Sequence, residues 1–364
     1  MKIRKAILTG GGRGTRLHPV TITINKHLLP LANKPMIFHA IEKAVEAGIT
    51  DIFINVNPGE TDLQTYIGDG GHWGINIEYF EQTGGPQGIA HVVKEAERFI
   101  GNDPFLYYLS DNVLLGGLKE FVTSFEEGDH HAMVALSEVE DSRRFGVPIF
   151  GDDGNLVDMV EKPQNPPNNF AVTGIYLFGP KFFFQAFDNI EKSARGEYEI
   201  PSIYSYLLKN GYRVGYKEIT GWWKDTGKPK DLLLANKLLL ENMETHEFPN
   251  HGSIVDDTVT LEGNVHIGIG SRIGPNATIK GPVIIGENCV LENCVIGPNV
   301  TVGRGTEIRR ASIQDAIILE NAFIDWDIAI ENSIIGKAVR LVQRPAVHAQ
   351  ARQMIIGDKT VIEV

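Results

Sequence analysis

The chain has 364 residues, an ordinary apolar fraction of 42% and a formal net charge of −12. This length suggests two domains, and the acidic balance argues against a nucleic-acid surface, which recruits clustered Lys and Arg. Two cysteines, Cys289 and Cys294, are too few for a disulfide framework and are not spaced as a metal knuckle, which points to a reducing, cytoplasmic setting. After the charged N-terminus the apolar run covers only Ala6 to Leu8, too short for a signal-peptide core, and no run approaches a membrane span.

Residues 1–240 alternate between strand and helix patterns. Apolar runs at Lys5–Leu8, Asp51–Val56, Asn76–Phe80, Phe105–Leu109 and His131–Leu136 predict strands. Between the first two, Met36, Ile37, Ala40, Ile41, Ala44 and Val45 share one face at helical spacing, and Gly48 stops the helix. Strands separated by helices predict an α/β domain with a Rossmann-like, mostly parallel sheet covered on both faces. Ligands on such sheets bind outside the carboxyl ends of the strands, so the segments after Leu8 and Leu109 are the places to look.

The segment after Leu8 contains GGGRGTRLHPVTITINKHLLP, residues 10–30. A dinucleotide fingerprint needs its last glycine later, and a P-loop needs Lys where Thr15 stands. The turn nevertheless follows a strand, and glycines let backbone N–H groups come close to phosphate oxygens. Arg16 can fork onto two phosphate oxygens without losing its charge, and Lys26 adds a second cation. Asp111 follows the apolar strand FLYYL; one carboxylate beside a triphosphate suits Mg²⁺, although a lone Asp there is more often a turn or helix cap. LVDMVEKP then supplies Glu161 and Lys162, a weak tripeptide signal by itself.

The pattern changes after about residue 250. Val255, Leu261, Ile267, Ile273, Ile279, Ile285 and Leu291 recur every six residues, with Val259, Val265, Ser271, Ala277, Val283, Cys289 and Val295 four positions after each. The phase slips by one and continues at Ile296, Val302 and Ile308. This hexapeptide repeat predicts a parallel β-helix whose turns stack their aliphatics into a one-dimensional core. Cys289 is expected to be inward filler and Cys294 to sit at the corner before the slip. Ile324, Ile330 and Ile335 predict further coils. The junction is expected at His246–Gly252, giving domains 1–245 and 246–364, and open coil ends that need covering predict a homo-oligomer.

Taken together, GG-x-GTRL-x-P-x-T followed by Lys26 and Leu-Leu-Pro resembles the signature of the sugar nucleotidyltransferases. The resemblance is nearest to the thymidylyl type in its long form, and EAGITDI, GDGGHWGI, SDN and the hexapeptide tail extend it over nearly the whole chain. It implies a nucleotidyltransferase domain followed by a left-handed β-helix, and transfer of a nucleotidyl group from dTTP to a sugar 1-phosphate, α-D-glucose 1-phosphate foremost, with release of pyrophosphate. Gly10, Gly11, Gly12, Gly14, Thr15, Arg16 and Lys26 would hold the nucleotide's phosphates, with Arg16 on the departing pyrophosphate. Gln82 and Gly88 would read the pyrimidine. Asp111 and Asp225, the latter in GWWKDTG, would bind Mg²⁺. Asp111, Gly146, Glu161, Lys162, Val172 and Thr173 would form the sugar-phosphate pocket. Gly10, His27, Gln87 and Ser110 depart from the family's commoner residues. A UTP-using enzyme, an acetyltransferase tail using His251, His266 or His348 as base, and a non-catalytic regulatory subunit are the competing readings.

Overall fold

A computed structural model describes residues 1–82, 85–219, 221–243 and 252–343. Most of the expected junction at 246–252, together with His251 and His348, lies outside the described residues. The chain forms two compact units, Met1–Gly12 with Ile37–Asp225, and Arg13–Met36 with Thr226–Val364. Among the described residues no helix is long and apolar enough to cross a membrane.

In chain order the elements up to the tail are β1 Lys5–Thr9, β2 Pro30–Leu31, β3 Lys34–Pro35, α1 Met36–Glu46, β4 Asp51–Val56, α2 Asp62–Ile67, β5 Asn76–Glu81, α3 Ile89–Glu95, α4 Glu97–Ile100, β6 Phe105–Tyr108, β7 Asn112–Leu114, α5 Leu118–Glu127, β8 Ala132–Glu138, β9 Gly146–Phe150, β10 Leu156–Glu161, β11 Phe170–Phe178, α6 Phe182–Phe187, α7 Ile200–Lys209, β12 Val214–Glu218, β13 Trp223–Asp225 and α8 Pro229–Glu241.

The first unit is built on a seven-stranded sheet of order β12-β8-β11-β6-β1-β4-β5. All neighbours are parallel except β11, which runs antiparallel to β6 and β8. The five expected strands are all present. The central ones form nearly continuous buried runs, FLYY in β6 and AMVAL in β8, as a sheet covered on both faces requires. α1 buries Met36, Ile37, Ala40, Ile41 and Ala44 at the expected helical spacing, and Gly48 leaves it at a φ of 91° that glycine adopts freely.

The second unit carries the coil. Three parallel ladders run along it. Val255, Ile273, Leu291, Ile308, Ile324 and Leu341 stack on the first; Leu261, Ile279, Ile296, Ile313 and Ile330 on the second; and Ile267, Ile285, Val302, Ile318 and Ile335 on the third. The hexapeptide reading therefore holds, Ile324, Ile330 and Ile335 included. Corners turn through residues of positive φ, glycines and, among the rest, mostly asparagine (Asn276, Asn288, Asn293, Asn299, Asn321, Asn332), the residue that tolerates this region best after glycine. His266 lies in this coil, where burial pulls its pKa below the usual range.

One detail of the repeat differs from expectation. The lost residue falls before Cys294, so Cys294 takes the inward small position at 2% exposure while Val295 points outward at 39%. Two positions before Leu291, Ile296, Ile308, Ile313, Ile318 and Ile324, the residues Cys289, Cys294, Thr306, Ala311, Ala316 and Ala322 are all buried. Counting forward from Leu291 gave the wrong side of the corner, whereas counting back from Ile296 gives the right one. Burial holds the Cys294 thiol up at about 12. In the native protein both cysteines should resist thiol-specific reagents at pH 8 and react on unfolding. Cys294→Asp should lower stability by about 3 kcal/mol or more while Val295→Asp costs within about 0.5 kcal/mol, as read by chemical denaturation.

Candidate active site

The carboxyl ends of β1, β4, β5 and β6 share one edge of the sheet, and Gly10, Asn57, Gln82 and Asp111 emerge there. Gly10 donates its N–H to Asn55 Oδ1 at 3.1 Å. A Cβ on Gly10 would stand 2.7 Å from both the Asn55 carbonyl oxygen and Leu63 Cδ1, so the extra glycine is a packing requirement of this chain. Gly12, at φ 125° with open space where a Cβ would go, donates to Asn57 Oδ1 at 3.1 Å. Ser110 is explained in the same way. Its N–H donates to Thr9 Oγ1 at 2.9 Å and its hydroxyl to the Thr9 carbonyl at 2.5 Å, stitching the strand end before Asp111 to the strand end before the glycines.

Asp111 and Asp225 are brought close by the β7–β13 pair, which sets Asp225 opposite Asn112. Asn112 is the hub. Its amide donates to Asp111 Oδ1 at 2.9 Å, and its Oδ1 accepts the Trp223 indole N–H at 3.0 Å. The same indole N–H also reaches the Thr173 carbonyl at 2.9 Å, and Leu109 N–H donates to the Gly174 carbonyl at 2.9 Å. Thus Trp223 orients the site as well as packing. Sequence reasoning passed over Asn112, although an amide following a strand-end Asp was the available signal. Among the described residues no group of three or more His, Cys, Asp or Glu side chains could hold a metal. A pair of carboxylates is the donor set that Mg²⁺ takes when phosphate oxygens and water complete its octahedron.

Of the sugar-phosphate candidates, Gly146 and Glu161 sit on the β9–β10 hairpin, where they pair directly, Val172 and Thr173 lie on β11, and Asp111 follows β6. A Cβ on Gly146 would come within 3.0 Å of Pro201 and 3.3 Å of Val172 Cγ2. Lys162 follows at φ 44°, a left-handed conformation uncommon for a long side chain and concentrated at functional sites. Its N–H is held by the Phe145 carbonyl at 2.9 Å, and its Nζ lies 2.7 Å from Glu161 Oε1. The structure adds Arg195, which sequence reasoning did not reach. It lies 3.5 Å from Glu161, 3.3 Å from Glu199, and against Glu197. Burial raises the Glu199 carboxyl above the usual range, and the Glu161 charge adds to the rise against the Ser193 hydrogen bond. The Thr173 hydroxyl is turned into the sheet, donating to the Ala135 carbonyl at 2.9 Å, which leaves its backbone for other partners. Burial raises the Tyr176 hydroxyl above its usual range, and the charges of Glu161, Asp111 and Glu199 add to the rise.

Gly88 answers first to a neighbouring loop. At φ 96°, a Cβ there would stand 2.4 Å from the Tyr198 carbonyl oxygen. Tyr198 N–H donates to the Gln87 carbonyl at 2.8 Å, and Gln87 Oε1 accepts Lys192 Nζ at 2.9 Å. Gln82 is partly buried and donates its N–H to the Val56 carbonyl at 3.1 Å.

Gly14, Thr15, Arg16 and Lys26 belong to the second unit. The loop closes on itself: Gly14 at φ 53° lies with its Cβ direction 3.1 Å from Lys26 Cβ and Thr21 Cγ2, and the Thr21 hydroxyl donates to the Gly14 carbonyl at 2.8 Å. This fold-back explains why a Lys ten residues beyond Arg16 can serve the same loop. Arg16 is exposed, and Lys26 is 8% exposed.

A glycine turn at the carboxyl edge, a carboxylate pair and a Glu-Lys hairpin define a phosphate-handling α/β enzyme, and sequence comparison fixes the class. The Nucleotidyl transferase profile matches residues 5–242 and the GMPPB C-terminal domain profile matches residues 282–363; the chain belongs to the nucleotidyl transferase family. It is 37% identical over 362 residues to a glucose-1-phosphate thymidylyltransferase of Streptomyces antibioticus, covering 99% of each chain. It is 36% identical to the low-salt glycan biosynthesis nucleotidyltransferase Agl11 of Haloferax volcanii, covering 99% of this chain and 100% of that one. A crystal structure of a putative glucose-1-phosphate thymidylyltransferase from Bacillus anthracis in complex with a sucrose matches with a TM-score of 0.61 at 36% identity, over 67% of this chain and 98% of that chain.

Trp223→Phe removes the indole donor shared by Asn112 and Thr173. It should cost about 1 kcal/mol of stability yet lower kcat about tenfold or more, measured by thermal unfolding beside steady-state pyrophosphate release. Gly88→Ala should cost about 1–3 kcal/mol through strain and the Tyr198 clash, measured by denaturant unfolding.

Proposed function

We propose that this chain transfers a thymidylyl group from dTTP to α-D-glucose 1-phosphate. The observation that carries the reading is the carboxylate pair at the sheet edge, where β13 sets Asp225 opposite Asn112 and the Asn112 amide donates to Asp111 Oδ1 at 2.9 Å. With it go the Lys162 ammonium beside Glu161 and the link from Ser110 to the strand that opens the glycine turn. Full-length similarity to a thymidylyltransferase favours dTTP and glucose 1-phosphate, while the glycan-biosynthesis relative keeps another sugar 1-phosphate in view.

A phosphate oxygen of the sugar 1-phosphate attacks the α-phosphorus, the bond to the bridging oxygen of the β-phosphate breaks, and pyrophosphate leaves in line. The attacking phosphate is already ionised near neutral pH, so no general base is required, and catalysis rests on positioning and charge stabilisation. Lys162 holds the sugar phosphate and meets negative charge growing at the α-phosphorus. Glu161 accepts hydrogen bonds from sugar hydroxyls, with Gly146 and Val172 shaping the floor. Arg16 and Lys26 neutralise the departing pyrophosphate. Gln82 and the backbone at Gly88 read the pyrimidine edge. Asp111 and Asp225 would hold Mg²⁺, whose charge screens the phosphates from each other.

Pyrophosphate release across dTTP, UTP, CTP and GTP with several sugar 1-phosphates should peak at dTTP with glucose 1-phosphate. UTP should trail by a modest factor, because one methyl group discriminates weakly. Lys162→Ala should lower turnover about 100-fold or more with little change in unfolding temperature; a folded variant with the parent rate overturns the assignment, as does a flat response across the matrix.

A further inference from the structure

The segment that carries Arg16 and Lys26 clusters with the coil, and its attachment is specific. β2 and β3 are joined by Ala32 and Asn33 at φ 48° and 59°, the tight two-residue turn in which both central residues have positive φ. The tip of this turn is held at two points. Ala32 N–H donates to Asn236 Oδ1 of α8 at 2.8 Å. Asn33 Nδ2 donates to the carbonyl of Val302 at 2.8 Å, and Val302 is a fully buried member of the third ladder. Its carbonyl also accepts Gly286 N–H from the adjacent turn at 2.8 Å, so both lone pairs are used. Asn236 is itself 1% exposed and fixed to the same face of the coil by the Thr301 hydroxyl at 3.5 Å.

Little slack separates this anchor from the cations. Met36 N–H donates to the Leu29 carbonyl at 2.9 Å and Leu29 N–H to the Lys26 carbonyl at 3.1 Å. Asn25 caps the short turn by accepting His27 N–H at 2.8 Å, and Leu28, Leu29 and Leu31 are buried. Lys26 Cβ in turn abuts Gly14, two residues before Arg16. A buried hydrogen-bonded amide fixes register because its partners cannot shift without leaving polar groups unpaired.

We propose that the β-helix is the mount of the triphosphate loop, with Asn33 and Asn236 as positioning residues that set where Lys26 and Arg16 stand. This rests on the assignment of Arg16 and Lys26 to the nucleotide's phosphates, and it gives the tail a part in the transfer reaction.

Asn33→Gly is the cleanest test, since glycine keeps the positive φ and deletes the donor. It should raise the KM for dTTP, and for pyrophosphate in the reverse direction, about fivefold, leaving the KM for sugar 1-phosphate within about twofold and the unfolding temperature nearly unchanged. Asn33→Asp, which sets a carboxylate against the Val302 carbonyl, should do more. Asn236→Asp keeps an acceptor for Ala32 and should lie closer to the parent than Asn236→Leu. On an Arg16→Ala background, Asn33→Gly should add little, because both act through one loop. Equal changes in all three KM values, or none in any, overturn the proposal. Calorimetric titration with dTTP separates it from the activity assignment. If the parent binds dTTP without turnover, the reaction assignment falls and the dTTP affinity of Asn33→Gly still decides the mount. If the parent does not bind dTTP, both fall.

Discussion

Parallel pairing of β1 with β4 on one side and β6 on the other is the constraint from which the first unit's site hangs. The Lys5–Thr9 register against Asp51–Asn55 and Phe105–Tyr108 delivers three strand ends to one edge with no freedom to slide, because a slip of one residue would turn every buried side chain to the opposite face. The Ser110–Thr9 double hydrogen bond then fixes the chain just beyond the sheet, where ladder bonds no longer do so. Glycines appear at this edge for steric reasons as well as for access: Gly10 has no room for a side chain, whereas Gly12 has room and takes a positive φ.

Around that edge the polar groups are arranged to be satisfied by one another. Asn112 spends its amide on Asp111 and its carbonyl on the Trp223 indole N–H, which also reaches the Thr173 carbonyl, so the Trp223 side chain joins β13 to β7 and β11. Lys162 holds a strained φ because the β9–β10 hairpin on one side and the Phe145 carbonyl on the other leave it little alternative. The Glu161–Lys162–Arg195–Glu199 cluster balances carboxylates against cations in a half-buried setting. There the local dielectric is lower than in water and each charge counts for more.

The second unit solves a different problem. Each inner turn of the coil, from Ile267 to Ile324, buries one aliphatic on each ladder, on the order of 1.5–3 kcal/mol apiece, and this repeated term offsets the entropy of ordering a chain with few local hydrogen bonds. Faces of such a coil are uniform, so specificity has to come from individual polar contacts. Thr301 at 0% exposure and Asn236 at 1% supply one on the face that packs against α8. The hairpin of residues 30–35 docks beside them through Asn33 and Ala32. A cationic loop that is flexible by composition is thereby rooted in a rigid element.

Much of this was legible in the sequence. The alternation of strand and helix patterns gave the α/β unit, and six-residue periodicity gave the coil down to Ile335, because both signals repeat and are set by burial alone. The glycine turn, Asp111, Glu161, Lys162 and Asp225 could be picked out by their chemistry and by family resemblance. Arg195, Asn112 and Trp223's indole donor acquire their meaning from partners 34 to 111 residues away, and no local pattern encodes such a partner. The inward turn of Cys294 depended on which side of a corner lost a residue, a choice made by stacking on the turn below. The sequence by itself determined which residues could bury surface and which could carry charge. Tertiary structure alone decided that residues 13–36 cluster with the β-helix, since that choice rests on two amides finding particular carbonyl and N–H groups in space.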